Sequence, residues 1–247
     1  MNKDLVDTID KDNMFNVIVD FYKHIKESFD IIEKSNININ LKPHNVIICG
    51  MGGSAIGGDF VKTVLKDDLK IPIVVNRDYD LPNWISKETL IFICSYSGNT
   101  EETISAFHKS IKSGASICGI TTGGTLLKLL KEHERDFIRI PSGLQPRAAV
   151  AFSFIPIIKL IEKVGLIQSN LDLWIGKSIS DLEKNRVIYS NEGNENPVYR
   201  MAHQIYKKIP IIYSDTSSMR VNAVRLKGQI NENGKMLAYN NDLPELN

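Results

Sequence analysis

Residues 95–103, Ser-Tyr-Ser-Gly-Asn-Thr-Glu-Glu-Thr, gather five hydroxyl side chains around Gly98, directly after the apolar run 90–94 and ahead of a segment with helical spacing. Hydroxyls at Ser95, Ser97 and Thr100, with the backbone N–H groups of residues 98–101, suit a tetrahedral oxyanion such as a phosphate monoester. A helix beginning near Thr100 adds about half a positive charge at its N-terminus, so neutral donors suffice without lysine or arginine. Gly98 lets the backbone come close to the guest. Helix capping alone needs one hydroxyl, and Thr103 stands where a capping box carries glutamate or glutamine.

Three further stretches carry chemistry-capable residues. Residues 50–59, Gly-Met-Gly-Gly-Ser-Ala-Ile-Gly-Gly-Asp, follow the apolar run 46–49 and contain Gly50-x-Gly52-x-x-Ala55, a permissive match to the dinucleotide fingerprint. The acidic residue that fingerprint needs arrives late, at Asp78, and a tight turn explains the glycines without any ligand. Arg147, in Gln-Pro-Arg-Ala-Ala, reads on its own as a helix-terminal ion-pair partner. Glu232, in Asn-Glu-Asn-Gly, reads on its own as an exposed helix end. Thr121, Thr122, Gly123 and Gly124 also sit at a strand end and are assigned no chemical role. None of the five histidines, at 24, 44, 108, 133 and 203, is paired at ligand spacing, so no metal and no cofactor is expected.

The elements that must position these residues alternate along the chain. Residues 2–34 read as a charged amphipathic helix ending near Ser35. Apolar runs at 46–49, 71–75, 90–94, 116–120 and 137–140 read as strands, with helical spacing between most of them, as at Ile104, Phe107 and Ile111. Continuously apolar strands alternating with helices predict a parallel α/β sheet with helices on both faces, a doubly wound arrangement. Residues 145–167 read as a buried helix that Pro156 should kink or interrupt. A polar stretch, 170–194, then leads to a helix at 196–208, a strand at 209–214 and a helix at 219–235. One strand and one helix fall short of an independent sheet. The organisation expected is therefore one domain over 1–166 with its leading helix, and the start of a second, apparently incomplete domain over 167–247.

Composition excludes several classes. With 43% hydrophobic and 24% charged residues over 247 positions, the chain is neither disordered nor fibrous. A net charge of +1 without a basic block gives no footprint for nucleic acid. No run reaches the roughly 18 apolar residues of a membrane span, and the N-terminus has no signal-peptide core, so a cytoplasmic protein is expected. Cys49, Cys94 and Cys118, each in or beside a strand-like run, read as reduced core thiols.

Taken in order, GMGGSAIGGD, SYSGNTEET, ITTGG, LQPRAA and NENGK…PELN resemble the bifunctional phosphoglucose/phosphomannose isomerases of the sugar isomerase (SIS) fold, from about Val46 to the last residue. The resemblance implies an SIS domain followed by a second one. It also implies a homodimer, a sugar-phosphate substrate, and metal-free interconversion of glucose 6-phosphate and mannose 6-phosphate with fructose 6-phosphate. By position, Ser95, Ser97 and Thr100 match the family's phosphate-binding hydroxyls, and Gly52, Gly53 and Ser54 match the loop along the sugar. Arg147 matches the arginine that steadies the enediolate, and Glu232 the base that moves a proton between C1 and C2. Leu226 stands where the family usually carries tryptophan. The motif of PELN continues in the family into a histidine that assists ring opening, a position just past Asn247, so weak or absent turnover is expected of the 247-residue form. A non-catalytic SIS module that binds sugar phosphate and regulates a partner would use the same hydroxyl loop, as would an SIS isomerase of amino-sugar phosphates. Only an isomerase needs Arg147 and Glu232.

Overall fold

A computed structural model of the chain describes residues 6, 8–37, 39–191 and 195–244. Helix α1 (Met14–Val19) is followed by α2 (Phe21–Lys34). The single helix expected over 2–34 is thus divided, and residues 2–5 and 7 of that span lie outside the described residues. The Asp10 carboxylate accepts the N–H groups of Met14 and Phe15 at 2.8 and 2.6 Å, and Asn13 takes a left-handed φ of 57°. Together these start a new helix where the sequence pattern ran on.

Five strands follow, with their helices: β1 (Asn45–Cys49), α3 (Gly52–Val64), β2 (Ile73–Asn76), β3 (Thr89–Ser95), α4 (Glu101–Ser113), β4 (Ser116–Thr121), α5 (Gly124–Glu132) and β5 (Asp136–Arg139). All neighbours pair parallel in the order β2-β1-β3-β4-β5. Each strand lies within two residues of its expected place. Every residue of β3 is buried, as a central parallel strand covered on both faces requires. Ile47, Cys49, Ile91 and Ile93 pack with Ala106 and Phe107 of α4 and with Leu126 and Leu130 of α5. Ile48, which alternates with them, points to the other face, where Gly58 of α3 lies against it. The doubly wound expectation holds.

A short turn, Pro146–Ala148, leads into α6 (Val150–Lys163). Pro156 does not interrupt this helix. The missing N–H forfeits one backbone bond, but nearly all of α6 is buried against its neighbours, and that packing outweighs the loss. On this face the Ser28 hydroxyl of α2 donates to the Ala151 carbonyl at 3.2 Å. The three cysteines are free and buried, and burial pushes the Cys49 thiol up to about 12.

Lys159 is the exception in this apolar layer, only 3% exposed. Its ammonium binds the carboxylates of Glu162 and Asp172, with Glu33 at 3.9 Å and the Phe29 ring beneath it. Burial works against its charge, but hydrogen bonds and attraction from Asp172 and Glu162 prevail and raise its pKa.

The chain continues as α7 (Leu171–Ser190), α8 (Pro197–Ile205), β6 (Ile211–Asp215), α9 (Arg220–Gly234) and β7 (Tyr239–Leu243). Residue contacts divide the chain into one unit of 23–175 and another of 1–22 with 176–247. In the second unit β6 and β7 pair parallel, Ile211 opposite Tyr239, with α9 as the crossover packed on both. The sequence pattern gave no sign of β7. Asn231 holds the turn into it by accepting the Ala238 N–H at 2.9 Å, and Arg220 reaches Asp242 at 2.7 Å. Residues 192–194 and 245–247, the latter including most of the PELN motif, lie outside the described residues. No helix among the described residues is long and apolar enough to cross a membrane.

Lys159→Met is expected to cost about 2 kcal/mol, below the 3–5 of a fully buried pair because the freed carboxylates regain water. Urea melts of both proteins check a second consequence. A folded pKa raised above the ordinary 10.5 means the lysine's contribution is complete below that pH and fades as pH rises through the folded value. The stability gap between wild type and variant should therefore be constant from neutral pH up to about 10.5 and narrow from there as pH rises through the folded value.

Candidate functional site

The strand order makes β1 and β3 neighbours while their chains leave in opposite directions, β1 toward β2 and β3 toward β4. Ligands of open α/β sheets bind in the crevice at such a reversal, beyond the carboxyl ends of the strands. The two loops beside it lead into α3 and α4. Neither helix has a side-chain cap: Met51 and Thr100 stand at the N-cap positions without one. The first intrahelical donor of α4 is Ile104, to the Thr100 carbonyl, so the N–H groups of Glu101, Glu102 and Thr103 face outward unpaired.

Other helix ends at strand tips are filled from within the protein. The Asn99 amide oxygen accepts both the N–H and the hydroxyl of Thr125 at 3.0 Å, closing the start of α5. In the smaller unit the Asp215 carboxylate accepts the N–H groups of Ser217, Ser218 and Met219 and both serine hydroxyls. Those bonds, led by the ones from Ser218, hold its pKa far below the usual carboxylate range. An anion has no place there.

Within the hydroxyl loop the roles differ from one residue to the next. Ser95 is 1% exposed; its hydroxyl shares a 2.9 Å bond with Thr100 and accepts the Gly98 N–H at 3.0 Å. It is the internal post of the loop. Ser97 is exposed and accepts the Asn99 N–H at 3.2 Å. The N–H groups of Gly98 and Asn99 are thus used inside the loop, and the outward donors shift to the first turn of α4. Gly98 has a left-handed φ of 72°, and a Cβ there would stand 1.9 Å from the Gly123 carbonyl oxygen. The Leu126 N–H reaches the Gly98 carbonyl at 2.8 Å and the Thr122 N–H reaches that of Tyr96 at 3.2 Å. The Thr-Thr-Gly-Gly segment, assigned no role from sequence, is the brace of the loop.

Arg147 is half-buried on the short turn before α6. That turn presses on the first loop so closely that a Cβ on Gly53 would lie 2.5 Å from the Pro146 carbonyl oxygen and 3.7 Å from the Arg147 Cα. Ser153 of α6 locks the contact by donating to the Gly53 carbonyl at 3.3 Å. Gly53, Ser54, Tyr96, Pro146, Ala149 and Ser153 line one small pocket between the two loops and the turn. The structure thereby brings Gly52, Gly53, Ser54 and Arg147 together, and joins Ser95 to Thr100 beside them.

Carboxylates in the first turn of α4 are drawn toward the β2 side. Glu101 reaches the Tyr79 hydroxyl at 3.5 Å, and Glu102 lines a separate small recess with Asn76, Arg77 and Asp78. The charges of Glu102 and Glu101, with slight desolvation between them in size, raise the Tyr79 pKa. Glu232 belongs to the smaller unit. It is exposed in the last turn of α9, where its charge opposes the burial that lowers the Arg225 pKa two turns earlier. Leu226, on the same helix, is exposed. Sequence reasoning missed Tyr96 and Asn99 as organisers of the loop; their only signal was their place inside the hydroxyl motif.

Residues 194–247 match the family described as bacterial phospho-glucose isomerase C-terminal SIS domain. The chain is 43% identical over 239 residues to a bifunctional phosphoglucose/phosphomannose isomerase from Caldicellulosiruptor bescii, spanning 95% of this chain and 70% of that protein. It is 34% identical to the protein of the same name from Aquifex aeolicus, over 91% of this chain and 67% of the relative. It also superimposes on the C-terminal domain of glucosamine-fructose-6-phosphate aminotransferase from Francisella tularensis, with a TM-score of 0.69 over 94% of this chain and 71% of that one. At 16% identity that last likeness is one of fold alone.

Gly98→Ala adds a methyl against backbone at a left-handed position, a site of strain and overpacking together. A loss of about 2–4 kcal/mol is expected, read from thermal melts. Inorganic phosphate titrated calorimetrically should bind at least about tenfold more weakly, because the loop must leave its brace to make room.

Proposed function

Because the chain belongs to the bifunctional phosphoglucose/phosphomannose isomerase family, we propose that it interconverts glucose 6-phosphate and mannose 6-phosphate with fructose 6-phosphate through an enediol. It is a sugar-phosphate aldose–ketose isomerase. The observation that carries the reading is the pair of uncapped helix N-termini at the sheet's reversal, one behind a braced hydroxyl loop and the other pressed against the arginine turn.

In this reading the phosphate sits on the first turn of α4, where the outward N–H groups and the helix field meet it, with Ser97 and Thr100 at its rim and Ser95 holding the loop's shape. Gly52, Gly53 and Ser54 run along the sugar. The Glu232 carboxylate removes the proton on C2 of the open aldose; the electron pair of that C–H bond forms the C1–C2 double bond, and the C1 carbonyl oxygen becomes the enediol oxygen. The Arg147 guanidinium steadies the charge on the two oxygens. Return of the same proton to C1, with the C2 hydroxyl giving up its O–H proton as it becomes carbonyl and the C1 oxygen taking one up as it becomes hydroxyl, gives the ketose, so no proton, electron or group is left over. The family resemblance supports the roles of Glu232 and Arg147, and Arg147's approach to Gly53 supports its share of them.

The same resemblance supports an N-terminal SIS domain over 1–166, a second beginning at 167, and assembly as a homodimer. Free, buried cysteines support a cytoplasmic setting.

The test is a coupled assay for fructose 6-phosphate converted to glucose 6-phosphate, on the wild type and Glu232→Gln. Turnover of the variant should fall about 10²- to 10⁴-fold, the usual worth of a general base, with KM nearly unchanged. Undiminished turnover removes Glu232 from the mechanism.

A further inference from the structure

The hydroxyl of Tyr96 accepts the backbone N–H of Leu144 at 2.9 Å, across 48 positions of sequence. We propose that Tyr96 is a positioning residue that sets Arg147 at a fixed distance from the anion loop, so that the grip on phosphate also places the guanidinium. The inference rests on the role given to Arg147 above.

Three features carry it. Tyr96 lies between Ser95 and Ser97 within the anion loop, and its ring lines the pocket shared by Gly53, Ser54 and Pro146. Its own carbonyl accepts the Thr122 N–H, so the backbone of this residue is tied to the brace while its hydroxyl is tied to the arginine segment. Only Gln145 and Pro146 separate Leu144 from Arg147. Gln145 is extended, with φ −64° and ψ 135°, and Pro146 has its φ locked by the ring, so this connection is stiff. A displacement at Leu144 therefore passes to Arg147 and is not absorbed on the way.

A phenylalanine would fill the same space. The hydroxyl is needed only for the bond, and without it the Leu144 N–H loses its partner at a half-buried site. Burial raises the Tyr96 pKa while the Leu144 bond opposes that rise, which keeps the group protonated and uncharged as it accepts. Small misplacements of a charged group beside a reacting centre lower rates steeply, by about a hundredfold for 1 Å.

The experiment measures binding of two probes to the full chain. Inorganic phosphate reports the loop, and a five-carbon phosphorylated hydroxamate, planar and anionic where the enediolate oxygens form, reports the guanidinium. Tyr96→Phe is expected to weaken the hydroxamate about tenfold or more and inorganic phosphate by less than about twofold. In an Arg147→Ala background the same change should cost the hydroxamate less than about twofold more, because the group being positioned is gone. Equal losses for both probes, full additivity with Arg147→Ala, or an unchanged hydroxamate affinity would overturn the inference. If Arg147→Ala alone leaves the hydroxamate unaffected, the role of Arg147 falls and this inference with it. If Arg147→Ala weakens it and Tyr96→Phe does not, only the inference falls. Hydrogen exchange at the Leu144 amide of the wild type covers a variant that fails to fold: protection is expected, and exchange at the rate of an open amide overturns the bond itself.

Discussion

Gly98 and Gly123 meet backbone to backbone, and the hydroxyl loop has its shape because of that meeting. A side chain at Gly98 would push apart the segments after β3 and β4, and the bonds that cross between them, Leu126 to Gly98, Thr122 to Tyr96 and Thr125 to Asn99, depend on the same closeness. With the loop fixed from outside, Thr100 has no need to turn its hydroxyl onto its own helix. It pairs with Ser95 instead. The start of α4 stays uncapped as a consequence of a contact made more than twenty residues further on.

An uncapped helix end is costly unless something occupies it, and the protein treats its helix ends unequally. Asn99 fills the start of α5 and Asp215 fills the turn before α9, each using a side chain that can take several donors at once. Of the helices that start at a strand tip, the two left without such a side chain, α3 and α4, flank the point where strand order reverses. Two uncapped helix starts at one crevice support the proposed ligand position more firmly than the presence of glycines, which occur at tight turns of every kind.

The strands of the main sheet were legible because parallel strands covered on both faces must be apolar throughout, a signal that survives without any knowledge of neighbours. β7 was not legible. Its residues, Tyr-Asn-Asn-Asp-Leu, are half polar, and what makes them a strand is a side chain on α9 holding the preceding turn. The split of the first helix was likewise hidden in one carboxylate, Asp10, acting on donors four and five residues ahead. In the site, the types of residue were readable but their division of labour was not. Nothing in the order Ser-Tyr-Ser-Gly-Asn-Thr says which serine turns inward, since that follows from burial at the tip of β3. The nearness of Arg147 to Gly53 joins residues almost a hundred positions apart, and only packing of α6 against α3 brings it about.

The absence of lysine and arginine from the anion loop follows from what each part of the substrate does in the proposed reaction. The phosphate is the same group in the aldose, the enediol and the ketose, so stronger attraction to it would tighten all three alike and deepen the ground state without lowering the barrier. Dipoles and hydroxyls hold it well enough to anchor the sugar and no harder. Charge changes only at the oxygens on C1 and C2, and a fixed cation there acts on the enediolate far more than on either neutral sugar. In the proposed reaction, neutral donors at one end and Arg147 at the other would put electrostatic strength where it discriminates. The arrangement works only if the two ends are held at a set separation, which is why the links between the hydroxyl loop and the arginine turn matter as much as the groups they connect.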